Sequence, residues 1–480
     1  MKPSLIPIPQ KVKYLSGASK IDNNTPVNYI ENPEIKHEGY NLLIDDHKIE
    51  ITYSDESGKF YALQTLKQIK ATCNGTCDNL KIEDYPRFSH RGFMLDCARH
   101  FFPLDDIKKV IDSAAFLKLN VFHWHITDDQ GWRLPVKKHP LLTEIGGKRK
   151  NSIFGGHDEK SEYAAAFTEE DIKEIVDYCK ERFINVIPEI DLPGHTTSIL
   201  AVYPNLGCTG EKVEVGMKEG IYDTVLCLGN PDSIRLVHDI LDTVCELFPG
   251  NYVHIGGDEA PRKKWSKCPK CQEKLKSLGT DDINKLQDYF IKDVADYLKA
   301  KGKIAITWNE SLKGNVLGKD DVIVQRWDDK QNLSIAFAEK GGKVIEADFF
   351  HYYCDYPYGM TPVKKTYDYD PACNCKNPLG VEAELWTEYV RSFDDICEKF
   401  YPRISAMAES AWTSNSNKDY DSFVSRHEAL RKSFEEMGIK IVPVSDWSLS
   451  PIKRIKNVFD FFKGSVNFKT LKDAYNNQIK

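Results

Sequence analysis

The segment HIGGDEAP carries two adjacent carboxylates, Asp258 and Glu259, directly behind a pair of glycines. Like charges this close resist joint ionisation, so one of the two carboxyls should keep its proton to higher pH. A carboxyl raised in this way can serve as a general acid at neutral pH. The same residues could instead cap a helix, with Asp258 accepting from backbone N–H groups. Reactive side chains recur along the chain as Arg99 and His100, Asp128 and Asp129, Asp191 and His195, Trp308 and Glu310, Trp327 and Asp328, Tyr353 and Asp355, and Trp386 and Glu388. Indoles beside carboxylates suit a sugar ring, whose C–H face stacks on the aromatic face while its hydroxyls donate to Asp or Glu. Indoles that merely cap a core are the alternative.

Two further patterns could bind metal. In HWH, at 123–125, a strand would point His123 and His125 to the same side, as in the metal site of a metal-dependent amidohydrolase. That chemistry needs a His and Asp pair after a later strand. His195 and His254 are present but the pair is not, so histidines that fill an interior or brace carboxylates are favoured. Cys268 and Cys271 form a CxxC, and Cys373 and Cys375 a CxC, from which a four-thiolate zinc site could be drawn. Ordinary thiols, or a local disulfide near Cys73 and Cys77, are the simpler expectation for a chain with thirteen cysteines. Neither a metal nor another cofactor is expected.

Each reactive group closes a short apolar run, and there are eight: 91–98, 120–129, 185–195, 251–260, 303–310, 321–329, 343–353 and 379–388. Amphipathic segments lie between them. In DDIKKVIDSAAFLKL one face is Ile107, Val110, Ile111, Ala114 and Leu117; in TEEDIKEIVDYCKERF it is Ile172, Ile175, Val176 and Cys179, with Thr168 as N-cap. Eight buried strands alternating with helices predict an α/β fold, a (β/α)8 TIM barrel over 87–445, whose reactive groups share one rim. A doubly wound sheet is disfavoured because no GxGxxG or GxxxxGK[ST] follows a strand. Residues 1–86 read as short strands and one helix, KFYALQTLKQI, hence a small α+β domain. Residues 446–480 read as a helical tail packed on the barrel.

The 480 residues are 41% hydrophobic, enough for a large core, and 65 basic against 72 acidic groups leave a net charge of −7. That balance gives no strong attraction to nucleic acid. No run of eighteen apolar residues exists, so no membrane partner is expected. MKPSLIPIPQ has no apolar leader. The compartment is left open, with a secreted or periplasmic chain whose leader has been removed preferred to a cytoplasmic one.

Taken in order, RGFMLDCARHFFP, HITDDQGWR, PEIDLPGH, HIGGDEA, WNE, YYCDY and LWTE resemble glycoside hydrolase family 20, the β-N-acetylhexosaminidases, across about 87–415. The resemblance implies a glycan substrate with a terminal β-linked N-acetylhexosamine and an oxazolinium intermediate formed by the substrate's own acetamido oxygen. It implies Glu259 as acid/base, Asp258 holding the acetamido nitrogen, and Tyr353 donating to the acetamido carbonyl oxygen. Trp308, Trp327 and Trp386 would wall the acetamido pocket, and Arg99, Asp355 and Glu388 would bind hydroxyls. Asp128, Asp191 and His195 would form the supporting network. Cys354 departs from the pattern, standing where a bulkier apolar residue is expected.

Overall fold

The computed structural model describes residues 1–465 except 23, 47, 156, 373, 374, 376 and 377. A five-stranded sheet comes first, built from β1 (Lys11–Lys20), β2 (Val27–Glu31), β3 (Tyr40–Ile44), β4 (Ile49–Tyr53) and β5 (Thr76–Asp84) in the order β1-β5-β3-β4-β2. The period-two pattern of β3 and β4 buries Tyr40, Leu42, Ile44, Ile49, Ile51 and Tyr53. Helix α1 (Glu56–Thr72) covers this face with Tyr61, Ala62, Leu66 and Ile69. Its first turn is capped by the Asp55 carboxylate, which accepts from the Gly58 N–H at 2.9 Å.

Buried charges join this sheet to the barrel behind it. Arg91 donates from both terminal nitrogens to the two Glu38 oxygens at 2.8 Å. Lys118 donates to Asp84 and to Tyr40, each at 2.8 Å. Trp412 enters the small domain's apolar core and donates its indole N–H to Asp84 at 2.8 Å. Charges this deep are tolerable only when paired and hydrogen-bonded, as these are.

The expected (β/α)8 barrel is present. Its strands are β6 (His90–Asp96), β7 (Val121–His125), β8 (Asn185–Glu189), β9 (Tyr252–His254), β10 (Ile304–Trp308), β11 (Ile323–Arg326), β12 (Lys343–Glu346) and β13 (Gly380–Ala383). All pair in parallel, and β13 closes on β6. Each overlaps one of the eight apolar runs. Among the surrounding helices, Leu104–Phe116 and Glu169–Lys180 bury the faces read from the sequence, and Thr168 and Asp171 form a reciprocal capping box.

Strand alternation layers the barrel interior. Val121, Ile187, Ile306, Ile323 and Ile345 make an apolar floor. Two residues further along four of those strands stand His123, Glu189, Trp308 and Gln325, so the next layer is polar. The terminal helix Pro451–Ser465 docks through Asn457, whose Oδ1 accepts from the Gly359 N–H at 2.8 Å. Among the described residues no helix is long and apolar enough to cross a membrane.

Of the two simpler expectations for the cysteines, ordinary thiols hold and the local disulfide does not. Cys73 and Cys77 are both free thiols rather than a local disulfide. Their sulfurs donate instead to the carbonyls of Met1 and Asp78. Cys373 of the CxC lies outside the described residues.

Candidate active site

Past the end of β9 the chain turns through Gly256 (φ 65°), Gly257 (φ 106°) and Glu259 (φ 45°). The first two positions demand glycine twice over, since positive φ strains a side chain and there is no room for one. A Cβ on Gly256 would lie 1.7 Å from Asp191 Oδ1, and one on Gly257 would lie 2.1 Å from Ser311 Oγ. The turn is held by the Gly257 N–H, which donates to Asp191 at 3.3 Å, and by Gln287, which donates to the Gly257 carbonyl at 2.6 Å. This tight passage delivers Asp258 and Glu259 side by side to the barrel mouth. Asp258 is therefore not spent as a helix cap.

Asp258, Glu259, Tyr353, Arg99, His195, Trp327, Asp355, Trp386, Glu388 and Asp191 together line one cleft of about 550 Å³. Residues far apart in sequence are thus brought to a single rim, as barrel topology requires. Asp128 and Trp308 are not on its surface. Both are fully buried. Trp308 donates its indole N–H to Glu189 at 2.8 Å, and its ring lies 6.1 Å from that of Trp386. Strand alternation explains the depth, because Trp308 still belongs to β10 and points into the barrel. Tyr353 lines the cleft while its neighbour Tyr352 is buried against Tyr369.

Below the cleft lies a continuous charge network. Arg99 reaches Asp128 at 2.8 Å, Asp96 at 3.2 Å and Glu388 at 3.8 Å. His195 Nδ1 is 3.1 Å from Asp128, and its Nε2 faces Glu259 at 3.7 Å and Asp258 at 4.0 Å. His125 Nε2 meets Asp128 at 2.9 Å, and its other nitrogen contacts Glu189. His123 bridges Glu189 at 3.1 Å and Glu382 at 2.7 Å. The HWH histidines therefore brace carboxylates, as favoured from the sequence.

These neighbours set the protonation states. Burial pushes the Glu259 carboxyl up to about 8, with the Asp258 charge adding to it and the His195 imidazolium opposing. Burial also raises Asp258, to about 6, again against His195. Burial works against a charged His195, yet Asp128 and Asp191 outweigh it and hold the imidazole well above its ordinary value. Asp355 rises to about 8 through burial and the nearby Glu388. Both adjacent carboxyls are thus held above the ordinary carboxylate range, Glu259 further than Asp258. A carboxyl raised in this way suits a general acid near neutral pH.

Sequence reasoning missed much of the wall. Phe349, Phe350, Tyr356, Met360 and Tyr389 line the cleft, as do Glu219–Ile221 from the long segment after β8. Phe461 and Phe462 of the terminal helix complete it, with Phe461 5.1 Å from the Tyr389 ring and 6.0 Å from that of Tyr356. The paired aromatics of DFF were the available signal. Cys354 is fully buried, its N–H donating to the Glu384 carbonyl at 2.8 Å.

Comparison with known proteins agrees with this geometry. Residues 88–415 match the glycosyl hydrolase family 20 catalytic domain, and 28–85 match that family's domain 2. A beta-hexosaminidase of Porphyromonas gingivalis is 36% identical over 82% of this chain and 53% of its own length. One from Vibrio furnissii is 34% identical over 79% of this chain and 66% of its own. The chain therefore spans about half to two thirds of those relatives. A crystal structure of a beta-N-acetylhexosaminidase superposes with a TM-score of 0.85 at 29% identity, covering 91% of this chain and 96% of that one. The rim motifs, the small domain ahead of the barrel and these matches agree: the chain belongs to glycosyl hydrolase family 20.

Proposed function

We propose that the chain is an exo-acting, retaining β-N-acetylhexosaminidase that removes terminal β-linked N-acetylglucosamine or N-acetylgalactosamine from glycans. The observation that carries this reading is the Asp258–Glu259 pair, consecutive in the chain, both in the cleft, with Glu259 raised to about 8 and Asp258 to about 6. Ordinary retaining enzymes set two carboxyls about 5–5.5 Å apart across the scissile bond, one as acid and one as nucleophile. Consecutive residues of one turn are poorly disposed to reach opposite faces of a sugar. A nucleophile from the substrate removes that requirement.

In the proposed first step Glu259 gives its proton to the glycosidic oxygen as the C1–O bond breaks. The acetamido carbonyl oxygen bonds to C1 from the other face, giving an oxazolinium ion and releasing the aglycone as an alcohol. Positive charge grows on the amide nitrogen, where ionised Asp258 stabilises it. Tyr353 would donate to the acetamido oxygen and orient it for attack. In the second step the Glu259 carboxylate takes a proton from water as that water attacks C1. The amide is regenerated, and two inversions leave the β configuration.

Trp327 and Trp386 would wall the acetamido group, with Trp308 supporting Trp386 from beneath. Arg99, Asp355 and Glu388 would hold the hydroxyls of the terminal sugar. Asp128, Asp191 and His195 would position the pair rather than touch the substrate's reacting atoms. The test compares an aryl β-N-acetylglucosaminide with the aryl β-glucoside that lacks the N-acyl arm. Rapid hydrolysis of the first alone, with a β-configured first product, is expected. Comparable rates for both would overturn the mechanism.

A further inference from the structure

Four cysteine sulfurs converge away from the catalytic cleft. Cys208 and Cys227 stand at the two ends of the segment that carries Glu219–Ile221 to the cleft, while Cys268 precedes and Cys271 lies in the first turn of helix Pro269–Ser277. Cys271 Sγ is 3.8 Å from that of Cys208 and 3.7 Å from that of Cys227, and Cys227 is 3.6 Å from Cys268. All four sulfurs lie within 4.8 Å of one another, and all four are free thiols.

These separations have a specific meaning. A disulfide would bring two sulfurs to about 2.05 Å. A tetrahedral ion with metal–sulfur bonds of about 2.3 Å places its ligands about 3.8 Å apart. The three distances fall at that tetrahedral edge. A polynuclear iron–sulfur cluster would need sulfurs spread widely enough to enclose several irons, and this cage has room for one ion. Four soft thiolates in a closed tetrahedron select zinc over harder cations.

The surrounding backbone is shaped for the cage. Gly229 passes so close to the CxxC turn that a Cβ there would lie 2.2 Å from the Lys270 carbonyl and 2.5 Å from the Cys271 nitrogen. Only glycine lets Cys227 approach Cys271 this way. Cys227 N–H donates to the Leu206 carbonyl at 2.8 Å, which ties the neck of the segment next to Cys208. Trp265 donates its indole N–H to the Leu226 carbonyl at 2.8 Å, which docks the same neck on the helix before the CxxC. Between 207 and 229 the chain forms no helix or extended strand, so it has little regular structure of its own to fix its path.

We propose that Cys208, Cys227, Cys268 and Cys271 bind one structural zinc ion, which staples the base of the 207–229 segment to the chain beyond Asp258 and Glu259. Motif spacing alone pairs the CxxC with the CxC; the structure joins it instead to two cysteines that no short motif marks. Closed four-thiolate sites contribute folding energy outright and leave no open position for chemistry. The zinc therefore orders a cleft wall and takes no part in hydrolysis.

The test is elemental analysis of the purified full-length protein, with no activity assay in the readout. About one zinc per chain is expected, retained on dialysis against a chelator and released when a mercurial titrates the thiols. Protein produced with cobalt in place of zinc should show thiolate-to-cobalt charge transfer and the intense visible bands of a tetrahedral site. Cys208→Ser and Cys271→Ser should lose the metal, whereas Cys245→Ser, a thiol outside the cage, should retain it. If the first two variants fail to fold, the wild-type stoichiometry and cobalt spectrum still decide. Metal-free wild-type protein with four reactive thiols, iron in place of zinc, or disulfides among the four cysteines would each overturn the proposal.

Discussion

Replacing His195 with Gln removes a cation that faces both carboxyls of the proposed catalytic pair. Its Nε2 lies 3.7 Å from Glu259 and 4.0 Å from Asp258. Opposite unit charges at 3.7 Å attract by about 1.1 kcal/mol in water and about 4.5 kcal/mol at an effective dielectric constant of about 20. At about 1.4 kcal/mol per pKa unit, losing this attraction raises each carboxyl by about one to three units. The sign is set by the charge: without the imidazolium the ionised forms lose support, so both groups hold their protons to higher pH. In the wild type, kcat/KM should rise as Asp258 ionises near pH 6 and fall as Glu259 deprotonates near pH 8. In the His195→Gln variant both limbs should move upward, and activity at pH 6 should fall far more than activity at pH 8. The assay is kcat/KM for an aryl β-N-acetylglucosaminide across that range, with circular dichroism to check the fold. Limbs that stay in place while kcat merely drops would show that the imidazole's charge is not felt by the pair.

The other predictions test separate contacts. Asp258→Asn should lower kcat by about 10²–10³ with little change in KM, because its charge matters most when the amide nitrogen turns cationic. Steady-state kinetics read this directly. Glu259→Gln should slow natural disaccharides far more than aryl glycosides with good leaving groups, and equal losses would contradict its role as acid. Glu38→Ala should destabilise the fold by about 3–5 kcal/mol in urea titrations, since it leaves buried Arg91 without its carboxylate. Phe461→Ala should weaken binding of extended glycans and leave the smallest aryl substrate nearly unaffected, as measured by KM along a substrate series.

The barrel was legible because its strands carry their chemistry in register. Each apolar run led into charged or aromatic residues at or near its end, and β10, β11 and β13 all led to tryptophan at or just past their ends. The same register hid the depth of Trp308. Trp308, at the last position of β10, points inward, whereas Trp327 and Trp386 lie beyond their strands and reach the mouth. The partners of Cys268 and Cys271 were illegible for another reason, since Cys208 and Cys227 lie in irregular chain that no periodicity describes. The Phe461 and Phe462 wall depends on where a terminal helix docks, and an amphipathic pattern alone does not give that address. The adjacent carboxylates were visible from the outset, but the upward shift of both comes from burial, opposed by His195, which only the folded arrangement supplies.

Trp412 reaches Asp84 across 328 residues of sequence. The small domain is therefore a clasp that waits, during synthesis, for nearly the whole barrel to be made before its own interior is complete. Two family matches that abut near residue 86 suggest a place to cut a gene, but a fragment starting there would leave Arg91 and Lys118 stripped of their counterions. What is modular in the pattern of family models is, in the folded molecule, one indivisible object.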